Sequence, residues 1–150
     1  MRGTIKENTE EQKMKRAYVI VLLIAAALIA ACSLIDTQSA SYADYGAVEA
    51  TGAIGRGWIP AFLPESATVV REKHNLDTNT ELVRFDFDAR DLGTLTQASP
   101  PTQDIVPPTL NANWWPDDLQ DSVGAFFRCE GAGAYLAVDA TNMRAYFWRP

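Results

Sequence analysis

Residues 83–88 read Val-Arg-Phe-Asp-Phe-Asp, and this stretch gives the clearest indication of the fold. Val83, Phe85 and Phe87 alternate with charged residues, so a strand would place the apolar side chains on one face and the charged ones on the other. We therefore expect Phe85 and Phe87 to be buried in a sheet and Asp86 to be exposed.

Extended segments on both sides of this strand predict an antiparallel sheet. Upstream, Thr68 to His74 favours a strand because it contains β-branched residues. Residues 75–79, all polar except Leu76, would form the turn that follows, closed by the Asp77 side chain accepting backbone hydrogen bonds. Downstream, alternating apolar segments and turn residues predict a C-terminal β-meander, with strands at 125–129, 135–139 and 144–148.

Short helices are predicted at two places. One runs roughly from Tyr42 to Thr51 and ends at Gly52, and the other follows Asp88, whose side chain can cap its first turn. The predicted fold is therefore α+β: an antiparallel sheet of four or five strands with one or two short helices on one face, preceded by an N-terminal hydrophobic helix.

The N-terminal region has the composition of a membrane-targeting segment. Residues 17–31 are fifteen residues without a charge, and Lys13, Lys15 and Arg16 precede them. Residues 29–32 resemble the lipobox of bacterial lipoproteins, in which Cys32 would receive the lipid. Three interpretations remain open: a lipoprotein anchored at Cys32, an uncleaved single-pass helix, and a cleaved soluble protein.

These features divide the chain into a signal or anchor segment (1–35), a tether with a short helix (36–56) and a globular domain (57–150). The basic flank of the hydrophobic segment would stay in the cytoplasm, so we expect the globular domain to be extracytoplasmic, in the periplasm at the cell membrane. Beyond Arg16 the chain has eight basic and sixteen acidic residues, a net charge of −8. Such an acidic domain is not expected to bind nucleic acid through phosphate contacts.

Cys129 lies in the apolar run Ala-Phe-Phe-Arg-Cys, which indicates a buried structural thiol. If Cys32 is lipidated or embedded in the membrane, Cys129 has no partner within the chain, and no disulfide is expected.

Residues 57–79, GWIPAFLPESATVVREKHNLDTN, resemble the signature of a family of small bacterial envelope proteins and lipoproteins, and this element resembles the YbbD head domain. The matching positions are Trp58, Pro60, Leu63, Pro64, Ser66, Ala67, His74, Asp77, Thr78 and Asn79. The resemblance implies an extracytoplasmic location and no known activity.

Two groups of polar residues contain the residue types of known sites. Ser66, His74 and Asp77 are those of a hydrolase triad, but Ser66 lacks the Gly-x-Ser-x-Gly turn that exposes a nucleophile. Asp86, Asp88 and Asp91 could supply oxygen ligands for Ca²⁺, but the strand spacing of Asp86 and Asp88 indicates a solvated face instead. We therefore predict no catalytic residue, no metal site and no cofactor.

Aromatic residues offer candidate binding positions. Trp114 and Trp115 lie in a loop where burying both is difficult, and exposed aromatic faces suit sugar rings such as those of peptidoglycan. Trp58 is a further candidate within the family-like segment.

The leading functional hypothesis is a non-enzymatic domain, held to the membrane by the N-terminal segment, that contacts another envelope protein or the cell wall. The alternative is a small-ligand-binding or hydrolytic domain that uses His74, Asp77 and Asn79 in a pocket. Convergence of those three side chains in a cleft would favour the alternative.

Overall fold

The computed structural model describes residues 15–22, 36–97, 99–129, 131 and 133–150. The chain divides into two units between Asp36 and Thr37. In the first unit, residues 15–22 are helical. No helix within the described ranges has both the length and the apolar character needed to cross a membrane. The rest of the predicted hydrophobic helix, and Cys32, lie outside the described residues.

The second unit is built on one antiparallel sheet. Its strands are β1 (Thr37–Asp44), β2 (Thr68–Asn75), β3 (Thr80–Asp86), β4 (Ala125–Cys129), β5 (Ala134–Asp139) and β6 (Arg144–Arg149). They lie side by side in the order β1-β2-β3-β6-β5-β4, so two three-stranded meanders join where β3 pairs with β6. The predicted antiparallel sheet and C-terminal meander are confirmed, but the described strands number six instead of four or five.

Short helices occupy the connections between the strands. They are α1 (Tyr45–Thr51), a 3-10 helix (Ala89–Asp91), α2 (Leu92–Gln97) and α3 (Leu119–Ser122). The prediction of one or two short helices on one face was too low for the described residues, and α3 packs on the opposite face from α1 and α2. Asp44 caps α1 by accepting a hydrogen bond from the Ala47 N–H, and Gly52 ends it in the left-handed conformation at φ 69°. Asp88 caps the 3-10 helix as predicted, by accepting from the Arg90 N–H.

β1 is the strand that was not predicted from the sequence, and it comes from the segment that was expected to be a tether. Residues from Thr37 to Asp44 pair with β2 in antiparallel register. The strand carries no apolar alternation, because an edge strand of small polar residues leaves all of its side chains exposed or only half-buried. Residues 37–56 therefore contribute β1 and α1 to the second unit, which spans Thr37–Pro150.

The sheet buries side chains on both faces. The first face packs against α1, α2 and the irregular segment 52–67; its buried side chains include Val70, Val83, Phe85, Leu136 and Phe147. The second face packs against the segment 105–123; its buried side chains include Leu82, Tyr135, Ala137, Tyr146 and Trp148. Coverage of both faces explains why the C-terminal strands are almost continuously apolar.

Within residues 83–88 the apolar side chains are buried as the alternation predicts, while the charged Arg84 and Asp86 between them are half-buried. Phe85 and Phe87 are buried, as expected, and Cys129 is a buried free thiol, as expected. The expectation for Asp86 was wrong: its side chain is half-buried because Arg144, its partner on β6, forms an ion pair with it.

The two hairpins β2–β3 and β5–β6 are closed by turns of the same construction. Asn75 Oδ1 accepts hydrogen bonds from the backbone N–H groups two and three residues later, at 3.0 and 2.9 Å. Asp139 Oδ1 accepts the equivalent bonds, both at 3.0 Å. A residue with positive φ ends each turn, Asn79 at 55° and Met143 at 50°. The predicted turn at 75–79 is thus confirmed, but Asn75 and not Asp77 closes it.

Candidate functional site

A buried polar cluster lies at one end of the first face. Glu72 and His74 reach it from β2, Glu81 from β3 and Arg149 from β6. Glu72, His74 and Glu81 are each at least 96% buried, with exposures of 2%, 4% and 3%. Charged and titratable side chains are rarely buried to this degree unless they are paired, so their partners decide what the cluster can do.

His74 is held by contacts on two sides. Its Nδ1 lies 2.8 Å from Glu72 Oε2, and its ring stacks on Trp58 with the centroids 4.4 Å apart. Arg56 lies above the Trp58 ring, with its guanidinium carbon 4.0 Å from the ring centroid. Arg56, Trp58 and His74 thus form one continuous stack, which fixes the imidazole ring on the sheet.

Local chain geometry brings Trp58 to this position. Gly57 has a positive φ of 74°, a conformation that glycine adopts without steric cost. The backbone N–H groups of Gly57 and Trp58 donate to the carbonyls of Ile54 and Ala53, at 2.9 and 3.1 Å. The chain therefore turns back over the sheet immediately after α1, and the indole ring is laid against β2.

The two buried glutamates have different environments. Burial raises the pKa of Glu72, and the hydrogen bond with His74 opposes that shift. Burial raises the pKa of Glu81 to about 7, opposed by the charge of Arg149 and reinforced by that of Glu72. Glu81 Oε1 and His74 Nε2 are buried without a hydrogen-bond partner. Glu72 is thus satisfied by its neighbour, whereas Glu81 keeps an unused acceptor.

The structure brings together only part of the residue set that the sequence singled out. Trp58 and His74 are in contact, whereas Asp77 and Asn79 are exposed in the β2–β3 turn. Asn79 Oδ1 accepts a hydrogen bond from Arg149 Nη1 at 3.3 Å, which links it to the edge of the cluster. The convergence of His74, Asp77 and Asn79 in one cleft, which would have favoured the alternative hypothesis, does not occur in the described residues.

Ser66 and the nearby aspartates have structural partners. Ser66 Oγ donates to Asp91 Oδ2 at 2.5 Å and accepts from the Asp88 N–H at 3.0 Å, which ties the 52–67 segment to the 3-10 helix. Asp86 pairs with Arg144. Among the side chains described, no three His, Cys, Asp or Glu residues are grouped so that they could hold a metal ion.

Trp114 and Trp115 lie on the second face, away from the polar cluster. Both are half-buried. Trp115 packs edge-on against Tyr146 and Trp148, with centroid distances of 5.4 and 6.1 Å, and Trp114 packs edge-on against Trp115 at 6.0 Å. The two rings thus extend the aromatic core instead of presenting two free faces to solvent.

Sequence reasoning missed Glu72, Glu81 and Arg149. A signal for Glu72 was present, because it lies between Val70 and His74 at the period of two that defines the buried face of β2. Glu81 and Arg149 gave no such signal, because their positions opposite each other depend on the pairing of β3 with β6.

Residues 36–86 match the family model of the YbbD head domain, which confirms the resemblance found in residues 57–79. The match covers about a third of the chain and spans β1, α1, β2 and β3, the first of the two meanders. No curated protein and no solved structure matches the chain.

Proposed function

We propose that this chain is a non-enzymatic interaction domain of the cell envelope, held to the membrane by its N-terminal segment. The match of residues 36–86 to the YbbD head domain supports this proposal. In this proposal Cys32 carries the lipid and the acidic domain lies outside the cytoplasm. The domain contacts another envelope protein through the outer edge of β1.

The proposal rests on a difference between the two edges of the sheet: within the described residues, one is covered by another segment and the other is not. The β4 edge is covered by residues 100–102: Thr102 N–H donates to the Phe126 carbonyl at 2.8 Å, and Arg128 N–H donates to the Pro100 carbonyl at 3.0 Å. Pro101 completes this bridge opposite Phe127. In contrast, no described strand pairs with the outer side of β1.

β1 also lacks the features that usually prevent an edge from pairing. Its sequence, Thr-Gln-Ser-Ala-Ser-Tyr-Ala-Asp, contains no proline and no basic residue, and its one charge is at the last position. Natural edge strands are protected by prolines, lysines, bulges or covering segments, so an eight-residue edge without them is a template for strand addition.

Charge and chain length restrict the partner. The net charge of −8 beyond Arg16 favours an extended segment that carries basic residues. β1 begins five residues after Cys32, a length that spans at most about 18 Å when fully extended. A lipid on Cys32 would therefore hold the open edge close to the membrane surface, and the partner is a basic segment of a membrane-associated protein.

Site-specific photocrosslinking in cells tests this proposal. A photoreactive residue in place of Ser39 or Ser41 on β1 should give a discrete adduct, whereas one in place of Thr102, in the segment that covers the β4 edge, should not. A second experiment tests the cell wall as the partner, by sedimenting purified peptidoglycan together with the domain. If the domain co-sediments with peptidoglycan, and a substitution of Trp114 abolishes this, the partner is the cell wall and not a protein.

Proline substitution makes the crosslinking result specific to the strand edge. Neighbouring N–H groups of a strand point to opposite sides, so one of Ala40→Pro and Ser41→Pro should unfold β1 and the other should leave the β1–β2 pairing intact. The variant that keeps the parent circular dichroism spectrum should lose the adduct. An adduct that persists in that folded variant would show that the edge is not the contact.

A further inference from the structure

A cleft of about 450 Å³ opens on the first face beside the buried polar cluster. Its walls include Ile59, Phe62 and Phe147, and its polar lining is provided by Glu81, Ser99 and Arg149. Small-molecule sites commonly combine this size with mostly apolar walls and a few polar groups.

Glu81 is the polar group in this cleft whose hydrogen bonding is incomplete. Its Oε2 lies 3.6 Å from Arg149 Nη2, which is longer than a charge-assisted hydrogen bond. Its Oε1 is buried and has no hydrogen-bond partner. Arg149 is itself shared with Asn79, so it does not complete the set of bonds that a buried carboxylate requires.

Comparison with Glu72 shows that the two buried glutamates of the cluster differ in how their carboxylate oxygens are paired. Glu72 lies on the same face and is as deeply buried, but His74 approaches its Oε2 to 2.8 Å. Glu72 is not among the residues that line the cleft, and Glu81 is. The unpaired acceptor is therefore found on the glutamate that borders the empty volume.

We propose that this cleft binds a small molecule with a primary amino group and a short apolar body. The amino group donates to Glu81 Oε1, and the apolar body packs against Phe62 and Phe147. An ammonium group fits the site better than a hydroxyl group because it also carries a positive charge. That charge would compensate the negative charge of the Glu81 carboxylate, which the Arg149 guanidinium, 3.6 Å away, compensates poorly. This inference does not depend on the β1 edge or on the membrane anchor.

Binding of matched four-carbon probes to the full chain tests the ligand chemistry. At pH 8, n-butylamine, n-butanol and butyrate are titrated against the isotope-labelled protein, and the backbone amide signals of Glu81, Ser99 and Phe147 are followed by NMR. We expect saturable shifts with n-butylamine, weaker binding of n-butanol, and binding of butyrate that is at least tenfold weaker than that of the amine. Equal binding of the three probes, or no saturation by the amine, would overturn the proposal, as would preferential binding of butyrate, which would assign the site to Arg149.

Three variants locate the site. Glu81→Gln keeps the size of the side chain and should weaken n-butylamine binding at least tenfold, while Glu49→Gln, the same charge change at an exposed position on α1, should leave it unchanged. Ala61→Phe starts from an exposed residue that lines the cleft and should block binding without disturbing the core. Retained binding in folded Ala61→Phe would place the amine elsewhere and overturn the assignment.

Discussion

Asp86 and Arg144 lie directly opposite each other where the two meanders join, and they form a two-bond ion pair. Oδ1 of Asp86 is 2.5 Å from Nε of Arg144, and Oδ2 is 2.9 Å from Nη2. These bonds raise the pKa of Arg144 above its usual value. The pair thus bridges the halves of the sheet at their junction, in a position that neither half determines alone.

Replacing Asp86 should therefore destabilise the protein more than replacing a solvated carboxylate would. Because the pair is two-bonded but partly exposed, we expect Asp86→Ala to cost about 1 kcal/mol, against about 3 to 5 kcal/mol for Phe85→Ala in the core. Urea denaturation followed by tryptophan fluorescence measures both. A double-mutant cycle with Arg144→Ala should give a coupling energy of similar size to the Asp86 effect, and additivity would show that the pair contributes nothing.

The β2–β3 turn should depend on Asn75 and not on Asp77. Asn75 Oδ1 accepts two backbone bonds and one from the Thr78 hydroxyl, and its Nδ2 donates to Thr37 on β1. Asn75→Ala should cost about 1 kcal/mol or more, while Asp77→Ala should stay within about 0.5 kcal/mol. Thermal melts with and without Ca²⁺ compare the two variants. If Ca²⁺ raises the melting temperature of the parent but not that of Asp77→Asn, Asp77 is a ligand and not only a turn residue.

Stability should fall as the pH rises through the range in which Glu81 loses its proton. The folded-state pKa is about 7, against about 4.3 in an unfolded chain, so the folded state binds the proton more tightly. The stabilising contribution is complete below pH 4 and is lost between about pH 4 and 7, by an amount on the order of 3 kcal/mol.

Denaturation of the parent and of Glu81→Gln at pH 5 and pH 8 measures this loss. The variant should be more stable than the parent at pH 8, and its stability should depend less on pH. Some pH dependence should remain, because burial also raises the pKa of Glu72. Glu49→Gln serves as the exposed control. A parent whose stability does not change between the two pH values would contradict the assignment.

Val69 occupies a strained backbone conformation on the surface. Its φ is 50°, within the irregular pairing between Thr68 and Arg71, and its side chain is 44% exposed. A β-branched residue is unfavourable at positive φ, so Val69→Gly should raise the free energy of unfolding by about 0.5 kcal/mol. Val106→Gly, at a similarly exposed position without positive φ, should lower it. Destabilisation by both changes would show that Val69 carries no strain.

Lipidation at Cys32 remains a prediction of the sequence. If the lipobox-like segment is processed, Cys32→Ser should leave an uncleaved precursor that no longer takes up radiolabelled fatty acid. Mass spectrometry and labelling in cells test this directly. Unchanged mass and labelling in the variant would leave the uncleaved anchor as the explanation for the hydrophobic segment.

The sequence by itself determined the local features of this protein. The alternation around Phe85, the meander at the C terminus, the caps at Asp88 and Gly52 and the family resemblance of residues 57–79 all depend on neighbours close in the chain. Trp58 and His74 were singled out as candidates for the same reason, because they belong to one family-like segment.

Only the tertiary structure decided which residues meet across the sheet. β1 has no apolar period because it lies at an edge, so its strand character comes from pairing with β2. The ion pair of Asp86 with Arg144 and the position of Glu81 opposite Arg149 join residues more than fifty positions apart, and they arise because β6 inserts beside β3. Strand order is set by which faces can be buried together, a property of the whole chain that no local pattern encodes.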